Sequence, residues 1–297
     1  MTALVVLPAI FGVGAALSAR PVHRRLKPSL GTPLLAATVA LAALAAVGGL
    51  LLVAGSYLVH SSWLVVRVAW LPRAAADGDT VGATFGVPAV AAVLVIVVMM
   101  ARTALKDIHG VRAAPDGGAV TVVADGTPIA YTVPGRRRRI VVSTGMLRTL
   151  DAGERRALFA HERSHLRRRH SRYVAVGRMA ATAVPALRPL AAELRFATER
   201  WADEDAAAEV GDRSLVARAL LSAALASVDE RDAAALLALS GADIADRIEA
   251  LMEVEPETVW RPMTPAFQLA IVALVTTLAA AAQMRHLLVA GLAHFVG

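Results

Sequence analysis

Two histidines and a glutamate stand at a spacing that can bind a catalytic metal, in the run His161-Glu162-Arg163-Ser164-His165. On a helix of 3.6 residues per turn, His161 and His165 project from one face, so both imidazoles reach the same zinc ion. Glu162 lies beside them and can take a proton from a zinc-bound water, whose pKa the metal lowers to about 7. The motif therefore predicts a hydrolytic zinc centre; the alternative is a polar helix on a basic surface.

A catalytic zinc needs a third protein ligand and an open position. The chain has no cysteine, so a carboxylate or a distant histidine must supply it. Glu199 follows His165 by 34 residues and Asp203 lies one helical turn later. We predict that Glu199 binds the metal and that Asp203 accepts the N–H of a ligand histidine. The alternative is a solvated acidic face. His170 is expected on the opposite side of the motif helix, at a helix end or behind a ligand.

The elements that must position these residues form a mostly helical α+β domain. Asp151 with Glu154 has the capping-box spacing, which predicts a helix from there to about Arg168. Pro185 and Pro189 interrupt the next helical stretch. Further helices are predicted over about Ala197–Val210, Ser214–Ser227 and Asp243–Met252. Three runs rich in β-branched residues predict a small sheet: Ala119–Ala124, Ile129–Val133 and Ile140–Val142. We expect Ile140–Val142 to be an edge strand that aligns the substrate backbone by strand addition.

The composition indicates a membrane protein. Of the 297 residues, 57% are hydrophobic and 19% are charged, against about 45–50% and about 25% in soluble domains. Four uncharged stretches are long enough to cross a bilayer: Thr2–Ala19, Leu34–His60, Val81–Ala101 and Pro265–Met284. The predicted architecture is three spans in residues 1–101, a zincin-like metallopeptidase domain in 102–264, and a fourth span with a short tail in 265–297.

The distribution of charge predicts the orientation. The formal net charge is +7, and the loop after the first span carries Arg20, Arg24, Arg25 and Lys27. Short loops rich in Lys and Arg stay in the cytoplasm. We therefore expect external N- and C-termini and a cytoplasmic domain in a cell-membrane protein. A cleaved signal peptide is the alternative for the N-terminus, but no basic residue precedes Arg20.

Two arginine blocks in the domain, Arg136–Arg139 and Arg167–Arg169, are the densest runs of basic residues in the chain. No aromatic residues interleave them and no groove-reading motif is present, so direct nucleic-acid binding is not expected. We expect attraction to anionic membrane lipids; steering of an acidic protein substrate is a further hypothesis.

Together, the motifs and topology resemble the BlaR/MecR family of membrane zinc metallopeptidases. The resemblance includes the run Ile140–Leu147 before the motif helix and Arg247–Leu251 after it. It implies that Glu162 is the catalytic acid/base and that His161, His165 and Glu199 hold zinc. It also implies a cytoplasmic repressor of the BlaI type as the substrate.

The sequence departs from the β-lactam sensors of that family, which carry an extracellular penicillin-binding domain after the fourth span. A stimulus is therefore expected through the loop Ser61–Thr80, the tail, the spans or a partner. Quality-control proteases of the HtpX type share the motifs but normally place two spans before them. A non-catalytic signalling or scaffold protein with a structural metal site is the alternative of another class. The sequence indicates no oligomeric state.

Overall fold

The computed structural model describes residues 26–60, 82–135, 138–226 and 241–253, together with Ile271 and Val275. Apart from those two residues, the predicted first and fourth spans, Thr2–Ala19 and Pro265–Met284, lie outside the described residues, as does the loop Ser61–Thr80. The described part is mostly helical with one small sheet.

Two helices are long and apolar enough, by length and composition, to cross a membrane: α1 (Pro28–His60) and α2 (Ala83–Ala113). They overlap the second and third predicted spans. Large apolar side chains of α2, such as Leu94 and Val97, are exposed in the isolated chain. Such a surface is expected where lipid rather than water surrounds a helix.

The predicted sheet is present, but its strand order differs from the expectation. Its strands are β1 (Val120–Val123), β2 (Ala130–Val133) and β3 (Arg139–Ser143), arranged β1-β3-β2. β3 pairs parallel with β1 and antiparallel with β2. The prediction that Ile140–Val142 forms an edge was therefore wrong. All five residues of β3 are buried, since neighbouring strands cover a central strand on both sides. The edge strand that contacts the motif helix is instead β2.

The helices after the sheet follow in quick succession: α3 (Thr144–Thr149), α4 (Ala152–Arg168), α5 (His170–Ala183), a 3₁₀ turn (Pro185–Leu187), α6 (Arg188–Val210), α7 (Arg213–Ala226) and α8 (Gly241–Met252). The capping box of α4 is confirmed: Glu154 N–H donates to Asp151 Oδ1 at 2.7 Å and Asp151 N–H donates to Glu154 Oε2 at 3.0 Å. α6 begins at Arg188, nine residues before the predicted start at Ala197. Pro189 does not interrupt this helix, because it lies in the first turn, where the missing N–H of proline is tolerated.

α4 and α6 pack side by side, and α7 and α8 cover one side of them. Small side chains such as Ala160 and Ala206, both fully buried, allow the backbones of α4 and α6 to approach closely. Since the motif lies on α4 and the predicted third ligand on α6, this packing determines the geometry of the site.

α1 is part of the same packed body. Its buried side chains Leu35 and Val39 lie in one cluster with Leu190 and Leu194 of α6. An ion pair between Arg178 and Asp107 links α5 to α2 as well. The motif-bearing helices thus dock directly on the helices that are candidates to span the membrane.

Candidate metal centre

The predicted ligands come together. His161 and His165 lie one turn apart on α4, and Glu199 faces them from α6. Their three ligating atoms lie within 4.8 Å of one another. The two Nε2 atoms are 3.0 Å apart, and Oε2 of Glu199 lies 3.5 Å from Nε2 of His161 and 3.8 Å from Nε2 of His165.

These donors fit zinc in kind and in spacing. Two ligands bound about 2.0–2.1 Å from a tetrahedral zinc ion are about 3.3 Å apart, and the observed separations of 3.0, 3.5 and 3.8 Å surround that value. Two imidazoles and one carboxylate form the donor set of many catalytic zinc sites, which leave the fourth position open.

Glu162 lies next to His161 in the sequence and points into the protein, with only 6% of its surface exposed. Burial raises the pKa of its carboxyl, and the electrostatic influence of the neighbouring His161 and His165 opposes the shift. A carboxylate in such an environment can accept a proton and release it again, as a general base requires.

Asp203 fixes the orientation of His161. Its Oδ1 lies 2.9 Å from Nδ1 of His161, so the imidazole presents Nε2 to Glu199. Burial alone would lower the pKa of His161, but hydrogen bonds and charges from Asp203 and Glu199 outweigh it and raise the pKa to about 10 in the metal-free site. The predicted role of Asp203 behind a ligand histidine agrees with this geometry.

Arg247, on α8, completes the site and was not predicted as a functional residue. Its Nε and Nη2 donate to the two oxygens of Asp203 at 2.7 and 2.8 Å, and its Nη1 lies 3.5 Å from Glu199. Burial acts to raise the pKa of Asp203, but the charge and hydrogen bonds of Arg247 lower it to about 2. The run Arg247–Leu251 was noted in the sequence only as part of a resemblance, because no spacing rule connects it to a motif 82 residues earlier.

His170 supports the other histidine. α4 ends at Arg168 and the chain turns at Arg169, so His170 begins α5 rather than lying on the far side of the same helix as predicted. Its Nδ1 lies 3.0 Å from Nδ1 of His165. A metal bound at Nε2 of His165 requires the proton on Nδ1, and His170 can accept that proton in a hydrogen bond. Burial, with a contribution from His165, lowers the pKa of His170 to about 3 and keeps it neutral.

Several of the described arginines in the two blocks are paired within the domain. Arg167 and Arg168 both pair with Asp205 of α6, at 3.2 and 2.9 Å. Arg139 is buried and donates to the carbonyl of Ala114 at 2.9 Å. These arginines bind parts of the domain to one another, so the charge that remains for lipids or substrates is smaller than the sequence suggests.

The comparisons with known proteins agree with this geometry. No curated protein and no solved structure matches the chain. Residues 99–242, slightly less than half of the chain, match the model of peptidase family M48. The matched region includes the sheet, the histidine motif on α4 and the acidic pair on α6, and it ends before Arg247. M48 peptidases are zinc enzymes, and the match supports a metallopeptidase domain in this part of the chain.

Proposed function

We propose that this protein is an integral membrane zinc metalloendopeptidase that hydrolyses peptide bonds of a protein substrate on the cytoplasmic side. The observation that carries the proposal is the convergence of His161, His165 and Glu199 around one point, with Glu162 beside them. The M48 match to the surrounding residues supports the reaction class.

In this mechanism His161, His165 and Glu199 hold the metal. A zinc ion at such a site supplies Lewis acidity toward water and the scissile carbonyl. Glu162 takes the proton from the attacking water and passes it to the leaving amine. Asp203 and His170 hold the two imidazoles in position, and Arg247 holds Asp203.

The substrate backbone is proposed to add along β2. This strand is at the edge of the sheet and contacts α4, so a bound peptide would extend past the metal ligands. β-strand addition satisfies the hydrogen bonds of an extended substrate without reading its sequence. The sequence predicted this role for Ile140–Val142, which lies in the central strand β3, and we now propose it for β2 instead.

Two substrate classes remain as proposals. A cytoplasmic repressor of the BlaI type fits the BlaR/MecR resemblance, whereas misfolded membrane proteins fit the HtpX-type alternative, and the M48 match does not separate them. Incubation of the purified protein in detergent with a BlaI-type repressor and with a destabilised membrane protein distinguishes these classes by which one is cleaved.

The reaction itself is tested with Glu162→Gln. We expect the purified variant to bind zinc in a 1:1 ratio while cleavage of casein falls at least about 100-fold, as for loss of a general base. Full cleavage by this variant would refute the mechanism. Zinc bound 1:1 by both proteins, with no proteolysis by either, would leave the scaffold alternative with its structural metal site. Absence of zinc from both proteins after reconstitution would refute the zinc enzyme.

The membrane arrangement is also a proposal. α1 and α2 support membrane association, and the positive loop after the first predicted span supports a cytoplasmic domain. Reporter fusions at Gly78 and Gly118 test the orientation. An external position for Gly118 would rule out a cytoplasmic substrate.

A further inference from the structure

A cavity of about 400 Å³ lies beside the candidate metal centre, between the end of β2 and the junction of α4 with α5. Thr132 and Pro134 line it on the side of the sheet, and His165 lines it on the side of the helices. The volume is within the range of about 300–1,000 Å³ that is typical of ligand sites. Since His165 belongs to both the cavity and the metal site, whatever fills the cavity lies next to the bond that is cleaved.

The cavity is lined by positive charge. Arg138, Arg169 and Arg172 line it, and none of its described lining residues is acidic. Within the part of the chain that the structure describes, the side chains of Arg169 and Arg172 make no hydrogen bond and no ion pair. Arg138 donates from Nη1 to the carbonyl of Leu166 at 3.3 Å, a bond that holds it at the cavity without neutralising it.

The neighbouring arginines on α4 behave differently. Arg163 pairs with Glu209, and Arg167 and Arg168 pair with Asp205. The guanidinium groups that face α6 are thus matched by carboxylates of this chain, whereas those that face the cavity are not. The difference indicates that the cavity takes its carboxylate from another molecule.

The backbone at Arg169 adds an independent observation. With φ 57° and ψ 42°, it is the one non-glycine residue with positive φ in the described ranges. Glycine adopts this conformation without steric conflict, and other residues rarely do. A strained residue at a ligand cavity is a reasonable starting point for a functional hypothesis, and here the arginine supplies a guanidinium that glycine would lack.

We propose that this arginine cavity, lined by Arg138, Arg169 and Arg172, binds an aspartate or glutamate side chain of the peptide substrate close to the scissile bond. The proposal rests on the peptidase function proposed above. A substrate aligned on β2 passes the cavity, since Thr132 belongs to both and Pro134, which also lines the cavity, directly follows the strand. Peptide is favoured over a lipid headgroup because the cavity shares His165 with the metal site, where a lipid would block the substrate.

The test compares paired fluorescence-quenched peptides that differ only in Glu or Gln at each position around a cleavage site mapped in casein. The full-length protein is assayed in uncharged detergent. We expect kcat/KM for the best Glu peptide to exceed that of its Gln partner about 10-fold or more, as charge-assisted hydrogen bonds give. The double variant Arg169→Gly/Arg172→Gln should lower this ratio to about one, because kcat/KM falls more for the Glu peptide than for the Gln peptide.

Arg148→Gln is the matched control for charge, since Arg148 is exposed on α3 and does not line the cavity; it should keep the preference. Binding to the Glu162→Gln variant gives a readout without turnover: the Glu peptide should bind about 10-fold more tightly, and adding the double substitution should remove the difference. The Arg169→Gly change relieves backbone strain, so a folded double variant is expected, and its thermal unfolding midpoint checks this.

Two results would overturn the subsite alone. One is active wild-type protein with equal kcat/KM for Glu and Gln peptides at every position. The other is a double variant that loses activity equally on both peptides and only in nanodiscs containing phosphatidylglycerol, which would assign the cavity to a lipid headgroup. Failure of the wild-type protein, loaded with zinc, to cleave any peptide would instead refute the proposed function and the subsite with it.

Discussion

Replacing Arg247 by methionine tests whether this distant helix supports the metal site. Arg247 makes two hydrogen bonds to Asp203, at 2.7 and 2.8 Å, and 4% of the Asp203 side chain is exposed. Removing one partner of a buried ion pair leaves an uncompensated charge, which destabilises proteins by about 3–5 kcal/mol. Methionine keeps the apolar stem of arginine, so lost packing contributes little to the change.

The consequence extends to zinc, since Asp203 holds Nδ1 of His161 at 2.9 Å. Loss of support behind a metal ligand typically lowers metal affinity about 10–100-fold. We therefore expect Arg247→Met to lower the thermal unfolding midpoint of the metal-free protein and to weaken zinc binding, measured by competition with a chromophoric chelator. The double variant Arg247→Met/Asp203→Asn removes the stranded charge and should recover part of the stability but none of the zinc affinity.

Arg163→Met is the matched control. Arg163 also pairs with a carboxylate, Glu209, but 49% of its side chain is exposed. Exposed pairs contribute about 0–1 kcal/mol, so this variant should unfold close to the wild type and bind zinc with unchanged affinity. If Arg247→Met behaved like Arg163→Met in both measurements, Arg247 would have no part in supporting the site.

Two further predictions follow from the same geometry. In the metal-free site the pKa of His161 is raised to about 10, so zinc must displace a proton at neutral pH. Calorimetry in buffers of different ionisation enthalpy should show about one proton released from this group, and affinity should rise with pH up to about 10; no release would contradict the assigned pKa. In Gly145→Ala, the added Cβ would lie 2.1 Å from the carbonyl oxygen of Gly126. Overpacking typically destabilises by about 1–3 kcal/mol, whereas Gly126→Ala meets no atom within 4 Å and should leave the unfolding midpoint unchanged.

Local patterns predicted much of this fold. The capping box at Asp151 and the predicted helix end at Val210 both agree with the structure. Strand positions were predicted within one or two residues. Strand order was not predicted, because β3 follows β2 in the chain yet pairs with both β1 and β2 and lies between them. Which strands pair depends on how the other elements of the fold cover each strand, and a short run of β-branched residues carries no information about that.

The residues of the site also fall into those that local sequence patterns predict and those that depend on how the helices pack. His161, Glu162 and His165 are close in sequence, so helical periodicity alone brings them together. Glu199 was found because chemistry demanded a third ligand, and the close packing of α4 against α6 through alanines brings it there. His170 was expected on the motif helix and instead begins the next one, since the turn at Arg169 occurs at a residue type that rarely has positive φ. Its expected place at a helix end or behind a ligand agrees with its contact to His165.

Arg247 shows what a motif search omits. It lies on α8, beyond the residues that match the M48 model, and its partners are the acidic pair rather than the metal itself. Asp203 is a useful orienting group only while it stays ionised, and burial without Arg247 would favour its neutral form. α8 must therefore hold its arginine against the same two carboxylates, those of Asp203 and Glu199. This requirement links the stability of the last helix of the domain to metal binding on α4.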